Sequence, residues 1–193
     1  MIINDQKIYD GSFIHKRFAY RYFRERTLPI GNIVSFVAPC EVTLNLIDLE
    51  DSLEKDYIYS DLMVHFCWEI PNLDPFGAVC FQRLFNTSIA NILHKTINKP
   101  IEMKGDDLIV HAEHNQGGIV QTKGKASVSI TYSKENVAIG HTGVNITAGK
   151  KAPAFAFSTN MTSQQAEKFQ NEVIEQFYAM VDNIFVATTK VIV

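Results

Sequence analysis

KGDDLIVHAEHNQGGIVQTKGKASVSITYSKENVAIGHTGVN, residues 104–145, is the stretch on which the reading of this chain turns. It divides into three β segments separated by polar turns. Side chains alternate between faces along a strand. From Asp107, one face carries Asp107, Ile109, His111 and Glu113, and the other Leu108, Val110 and Ala112. The second segment sends Val128, Ile130 and Tyr132 one way, and Lys125, Ser127, Ser129 and Thr131 the other. In the third, His141, Gly143 and Asn145 share a face against Thr142, Val144 and Ile146. Antiparallel pairing predicts a sheet with one apolar face and one polar face. The polar face would hold a carboxylate, an ammonium, hydroxyls, an imidazole and an amide. An ordinary solvated face is the competing use of such a pattern.

Upstream, residues 60–69 form the clearest strand of the chain. Leu62, Val64, Phe66 and Trp68 alternate with Asp61, His65, Cys67 and Glu69. Four ligand-type side chains on one strand face suggest a metal, but residues i and i+2 stand about 7 Å apart and the spacing matches no compact motif. No metal site is therefore assigned. Asp74-Pro75 opens the longest central helix, with a cap residue before proline, and Asn98-Lys99-Pro100 closes it. Phe81, Phe85, Ile89, Ile92, Leu93 and Ile97 make its apolar stripe, with Gln82, Arg83 and Asn86 at the edge.

The flanks complete the pattern. Residues 1–9 predict a short strand, and Ser12 an N-cap for a helix over 15–24 that Pro29 and Gly31 terminate. That helix carries Lys16, Arg17, Arg21 and Arg24, a solvated basic face from which Arg21 is set apart as a ligand contact. Asn32 to Leu46 reads as one or two strands broken near Pro39-Cys40, and the acidic run from Asp48 to Asp56, including Lys55, as a solvated connector. Thr162-Ser163-Gln164-Gln165 is a capping box for a last helix facing inward through Ala166, Phe169, Val173, Phe177, Met180 and Ile184. The order β-α-β-β-β-α-β-β-β-α lacks regular βαβ alternation. It defines an α+β fold, a largely antiparallel central sheet flanked by helices.

Length and composition set the outer bounds. At 193 residues the chain is read as a single domain, 1–193. A hydrophobic share of 46% with net charge −3 gives no general attraction to nucleic acid or anionic membrane. No apolar run reaches the about 18 residues that a membrane span needs. Cys40, Cys67 and Cys80 are odd in number and form no CxxC pair, which fits reduced thiols in a cytoplasm. Cys40 reads as a packed thiol, since no histidine stands near it in sequence.

Short pieces along the chain resemble the family called domain of unknown function 366. They are Tyr9-Asp10-Gly11-Ser12, Ala19-Tyr20-Arg21, Cys40, Ile47-Asp48 with Glu50-Asp51, and Ser60-Asp61 with Met63-Val64-His65 and Glu69. They continue through Gln82-Arg83-Leu84, Gly105-Asp106-Asp107, Lys125 with Ser127-Val128-Ser129-Ile130, and His141 with Gly143 and Asn145. Residues 150–193 match weakly. The family in turn looks like a relative of biotin and lipoate protein ligases, whose catalytic domains share the class II aminoacyl-tRNA synthetase fold. Asp106-Asp107-Leu108 sits where biotin ligases carry Asn-Asp before a hydrophobic residue. Lys125 sits where they place the lysine that contacts the acyl-adenylate, and Gly143-Val144-Asn145 resembles their Gly-Ile-Asn.

The resemblance implies a pocket for a small carboxylic acid or nucleotide, with ATP as a cofactor. Lys125, Asp107 and His65 would be its catalytic residues. Arg21, Asp61, Glu69, Arg83, Asp106, Ser127, Ser129, His141 and Asn145 would bind the ligand. His65 and His141 are expected on one sheet face, both lining the pocket. The departures are as informative. The chain lacks the Gly- and Arg-rich loop that cradles phosphates in the ligases, and Ser127 and Ser129 stand where a glycine follows the ligase lysine. Three functions therefore stand side by side: an acyl- or nucleotidyl-transferring enzyme, a non-catalytic binding module, and a metal-dependent enzyme using His65, Glu69 and His141. The polar excursion from His111 to Thr122, with Gly117-Gly118 at its tip, predicts a hairpin that joins a homodimer interface or closes over the pocket.

Overall fold

The computed structural model describes residues 1–15, 17–23, 31–54 and 56–190. Two short helices, α1 (Ser12–His15) and α2 (Ala19–Tyr22), precede the strand β1 (Asn32–Val42). A third short helix, α3 (Leu49–Glu54), leads to β2 (Ile58–Pro71) and the helix α4 (Pro75–Ile97). The strands β3 (Ile101–Lys104), β4 (Asp107–Val110), β5 (His114–Gln116), β6 (Ile119–Gln121) and β7 (Gly124–Lys125) follow. Last come β8 (Ser127–Lys134), β9 (Val137–Thr147) and the helix α5 (Ser163–Thr188).

The predicted α+β architecture is present, with a four-stranded antiparallel sheet in the order β1-β2-β9-β8. Its alternating residues feed two cores. Ile33, Val64, Phe66, Trp68 and Val144 pack under α4 and α5 with Phe81, Phe85, Phe169 and Phe177. Val34, Phe36, Ala38, Met63, Cys67 and Ile139 face the other way, under Tyr9, Phe13, Ile14 and Phe18 of the N-terminal segment. Two glycines of β9 are set by space: a Cβ at Gly140 would lie 2.2 Å from the Trp68 ring, and one at Gly143 2.1 Å from Met63 Sδ.

The 104–145 stretch does not form one sheet. β3, β4 and β7 make a separate three-stranded sheet, while β8 and β9 belong to the main one. Ala126 joins the two, donating its N–H to Leu108 and accepting from the Asn145 N–H with its carbonyl. The single polar face is also corrected. Ser127 pairs with Val144 and Ser129 with Thr142, whereas His141 pairs with Ile130 and Gly143 with Val128. Directly paired residues share a face, so the serines project to the helix side and His141 to the N-terminal side.

The helices confirm their caps, and the first corrects its expected length. The Asp74 carboxylate accepts the Gly77 N–H at 2.6 Å, Asn98 closes α4 in the left-handed conformation, and the capping box at Thr162 is complete. Among the described residues α4 has 23 residues and is the longest central helix, as expected, and the terminal α5 has 26. The expected 15–24 helix is broken at Arg17 and Phe18, because the buried Glu69 carboxylate takes the Phe18 N–H at 2.5 Å and the Arg17 Nε–H at 2.8 Å. Lys16, Arg24, Pro29 and Lys55 lie outside the described residues. The N-terminal strand is reduced to isolated bridges, Ile2 to Ser35 and Tyr9 to Cys40. Among the described residues, no helix is long and apolar enough to cross a membrane.

Candidate functional site

A cavity of about 280 Å³ opens where the N-terminal side of the main sheet meets the small sheet. Tyr9, Gly11, Ile14 and Cys40 line it from the N-terminal segment and β1, and Asp106, Asp107 and Lys125 from the small sheet. His141 and Asn145 come from β9, and Ser127 to Ile130 from β8. Asp48, Asp51, Asp56 and Tyr57 line its mouth, with Phe155 and Ala156 opposite.

Lys125 is positioned by backbone on both sides. Its N–H donates to Phe155 at 2.8 Å, its carbonyl accepts from Phe157 at 2.8 Å, and it pairs with Ile109 of β4. Its Nζ lies 2.8 Å from Asp107 Oδ1, with the two side chains 31% and 28% exposed. A pair this open contributes about 0–1 kcal/mol, so the ammonium can leave Asp107 for a ligand at little cost. Asp106 is held from behind: Arg83 reaches its Oδ1 at 3.3 Å, and the Asn86 amide donates to its carbonyl at 3.0 Å.

Ser127 and Ser129 belong to that support. The Ser127 hydroxyl accepts the Leu108 N–H at 2.9 Å. The Ser129 hydroxyl accepts from Gln82 at 2.8 Å and from Asn86 at 3.1 Å, and Thr142 completes the network by donating to the Asn86 side-chain oxygen at 2.8 Å. Gln82 and Asn86 are thus the α4 residues that hold the Asp106-Asp107 turn against the sheet. Asn145 turns its amide to the Phe157 carbonyl at 3.3 Å, fastening the 155–157 segment beside Lys125.

The two histidines lie on one face, 3.0 Å apart through His65 Nδ1 and His141 Nε2. Only His141 lines the cavity; His65 is buried behind it, its Nε2 3.1 Å from the Ala38 carbonyl. Burial pushes His65 down to about 3, against the pull of the Ala38 carbonyl. Burial and then His65 hold His141 well below the usual histidine range. The Tyr9 ring stacks on His141 at 4.0 Å. Burial also pushes Cys40 up to about 12 and raises Cys67 strongly, so both are packed thiols.

Four expected ligand contacts stand elsewhere. Arg21 is exposed beside a small surface hollow with Gln6, Ser12, Phe13 and Phe18. Asp61 accepts the Tyr59 hydroxyl at 2.6 Å, Glu69 anchors the N-terminal segment, and Arg83 touches the cavity only through Asp106. Glu69 is also four residues from His65 on β2, about 13 Å along a strand, and so cannot complete a metal site with the histidines. Among the described residues, no group of three or more His, Cys, Asp or Glu side chains is arranged to hold a metal.

The acidic mouth escaped the sequence reading. Asp48 caps α3 by accepting the Glu50 N–H at 2.8 Å, which turns Asp51 toward the cavity. Burial, then Asp48 and Asp56, raise the Asp51 carboxyl, while Lys125 opposes the shift. An aspartate followed by two acidic residues was an available helix-start signal. The hairpin of β5 and β6 forms as expected, and none of its strand residues lines the cavity. Gln116 donates to the Gly149 carbonyl at 2.6 Å, and His114 packs edge-on against Phe157.

Sheet order and flanking helices define a fold shared with biotin and lipoate protein ligases. LipL1 of P. falciparum, solved in complex with lipoate, superposes with a TM-score of 0.56 at 14% identity, over 93% of this chain and 60% of that one. Biotin protein ligase from Aquifex aeolicus, solved with biotin and ATP, gives 0.53 at 12% identity, over 94% and 70%. A protein of unknown function from Pyrococcus horikoshi gives 0.78 at 23% identity, over 100% and 97%. The chain belongs to the family Domain of unknown function (DUF366), whose model matches residues 1–192, including the last third that the short motifs barely reached. No curated protein matches it.

Proposed function

We propose that this protein binds a small carboxylic acid in the cavity, its carboxylate on Lys125, and activates it with ATP in the manner of the ligases it resembles. One observation carries the reading: the partly exposed Lys125–Asp107 pair stands on the cavity wall, and the resemblance in sequence matches Lys125 to the ligase lysine. In that chemistry a carboxylate oxygen attacks the nucleotide α-phosphorus, forming a mixed anhydride and releasing pyrophosphate. Neighbours of this fold were solved with lipoate, biotin and ATP, which supports a ligand of that size. Native mass spectrometry of freshly purified protein is expected to show a retained small molecule. That molecule with ATP should then release pyrophosphate, and Lys125→Met should abolish the release.

A second reading, a non-catalytic binding module, is favoured by the charge of the site. Asp48, Asp51, Asp56, Asp106 and Asp107 line the cavity against Lys125. A triphosphate entering there meets repulsion that no Gly- and Arg-rich loop offsets. Retention of a ligand without pyrophosphate release selects this reading; absence of any retained or added ligand rejects both. We further propose a cytoplasmic homodimer, supported by unpaired cysteines and by the exposed Ile119 and Val120 of the hairpin.

A further inference from the structure

His141 on the β9 wall of the cavity and His65 of β2 buried behind it form a pair of imidazoles whose protons can be placed by elimination. A carbonyl oxygen only accepts, so the 3.1 Å contact with Ala38 requires His65 to carry its proton on Nε2. Neutral His65 then presents a bare Nδ1. That atom lies 3.0 Å from His141 Nε2, which must supply the proton of this bond. Neutral His141 is left with a bare Nδ1, and among the described residues nothing donates to it.

Both rings are neutral for a reason visible in the packing. Tyr9 covers His141, and Phe36 stacks on His65 at 4.8 Å, so a positive charge would sit among aromatic faces away from water. Tyr9 is itself 3% exposed and lines the cavity, and its hydroxyl has no partner among the described residues.

We infer that this wall is a recognition site for an uncharged N–H or O–H group, which donates to His141 Nδ1 while His65 fixes the ring's tautomer. The inference deepens the small-molecule reading above and rests on it. It narrows the ligand to a molecule with an anionic group for Lys125 and an amide, urea or hydroxyl donor at its other end. A wholly hydrocarbon or thioether tail would leave the imidazole nitrogen buried and unmet, a costly arrangement. The pair does not serve as a base. A proton accepted by His141 and passed to His65 would end against the Ala38 carbonyl, with no route onward. His141 is thus a binding residue and His65 a positioning residue.

Long-range proton–nitrogen NMR on the ¹⁵N-labelled full chain tests this directly. Both histidines are expected as neutral Nε2–H tautomers at neutral pH. N-methylacetamide, which keeps one N–H, should shift His141 Nδ1 upfield, and N,N-dimethylacetamide, which has none, should not. A protonated Nδ1 or an imidazolium overturns the inference and leaves the pocket reading intact. Equal shifts with both amides do the same, as do shifts at Lys125 and Asn145 without one at His141 Nδ1. If neither amide moves His141 Nδ1 at molar concentration, the inference is overturned, whereas the pocket reading falls only if native mass spectrometry also finds no retained or added ligand.

Discussion

Lys125 and Glu69 show how two charged side chains in one fold carry opposite duties. Lys125 shares a half-exposed pair, so Lys125→Met is expected to change folding stability by less than about 1 kcal/mol. A charge-assisted contact to a carboxylate is worth about 1.5–3 kcal/mol. Ligand affinity should therefore fall by roughly 10- to 150-fold, as read by calorimetry. Glu69 is buried and holds both Arg17 and the Phe18 N–H. Glu69→Ala leaves that N–H without its acceptor, and a urea midpoint lowered by about 2–4 kcal/mol of stability is expected. An unchanged midpoint would show that Glu69 does not anchor the N-terminal segment.

Strand β9 and the β5–β6 hairpin are the elements on which the site depends most. A methyl group at Gly143 would strike Met63 Sδ and stand 3.2 Å from His141 Cε1. Gly143→Ala is expected to cost about 1–3 kcal/mol and to displace the His141 ring, seen as a shifted ring resonance. Retention of both wild-type stability and that resonance would refute the packing argument. The hairpin is pinned by Gln116 to the 149–152 turn, while Ile119 and Val120, 53% and 62% exposed, look outward. If it forms the proposed interface, Ile119→Ser with Val120→Ser should convert a dimer to a monomer by light scattering. A monomer mass for the unaltered chain rejects the interface outright.

Across the whole molecule, the buried histidine pair ties stability to acidity. Both rings are neutral in the folded state, and in the unfolded chain each titrates near 6.5. Below that value the unfolded state binds protons that the folded state refuses. Stability is therefore complete above 6.5 and is lost as pH falls, by about 1.4 kcal/mol per unit and per histidine. For His65 the loss levels off near its folded value of about 3. Tyr9, Cys40 and Cys67 surround the pair, but their raised values keep them protonated through this window. Urea midpoints should fall steadily from neutral pH to about 4.5, and His65→Gln should flatten the slope. Equal slopes in the two proteins would contradict the neutral pair.

Alternation and caps made much of this fold legible in the sequence, because both are local. The β2 pattern from Asp61 to Glu69, the Asp74-Pro75 start, the Asn98 stop and the Thr162 capping box all involve residues within a few positions of one another. Lys125 beside Asp107 was legible through its likeness to the ligases. What the sequence could not hold was register. A strand's parity says which residues share a face within it, but pairing decides which face meets which across strands. Ser129 against Thr142, and not against His141, sent the serines to α4 and left the imidazole facing the cavity. Glu69 breaking the 15–24 helix and the aspartates closing the mouth arose likewise from contacts between distant segments. Only the folded chain brings those segments within hydrogen-bond reach.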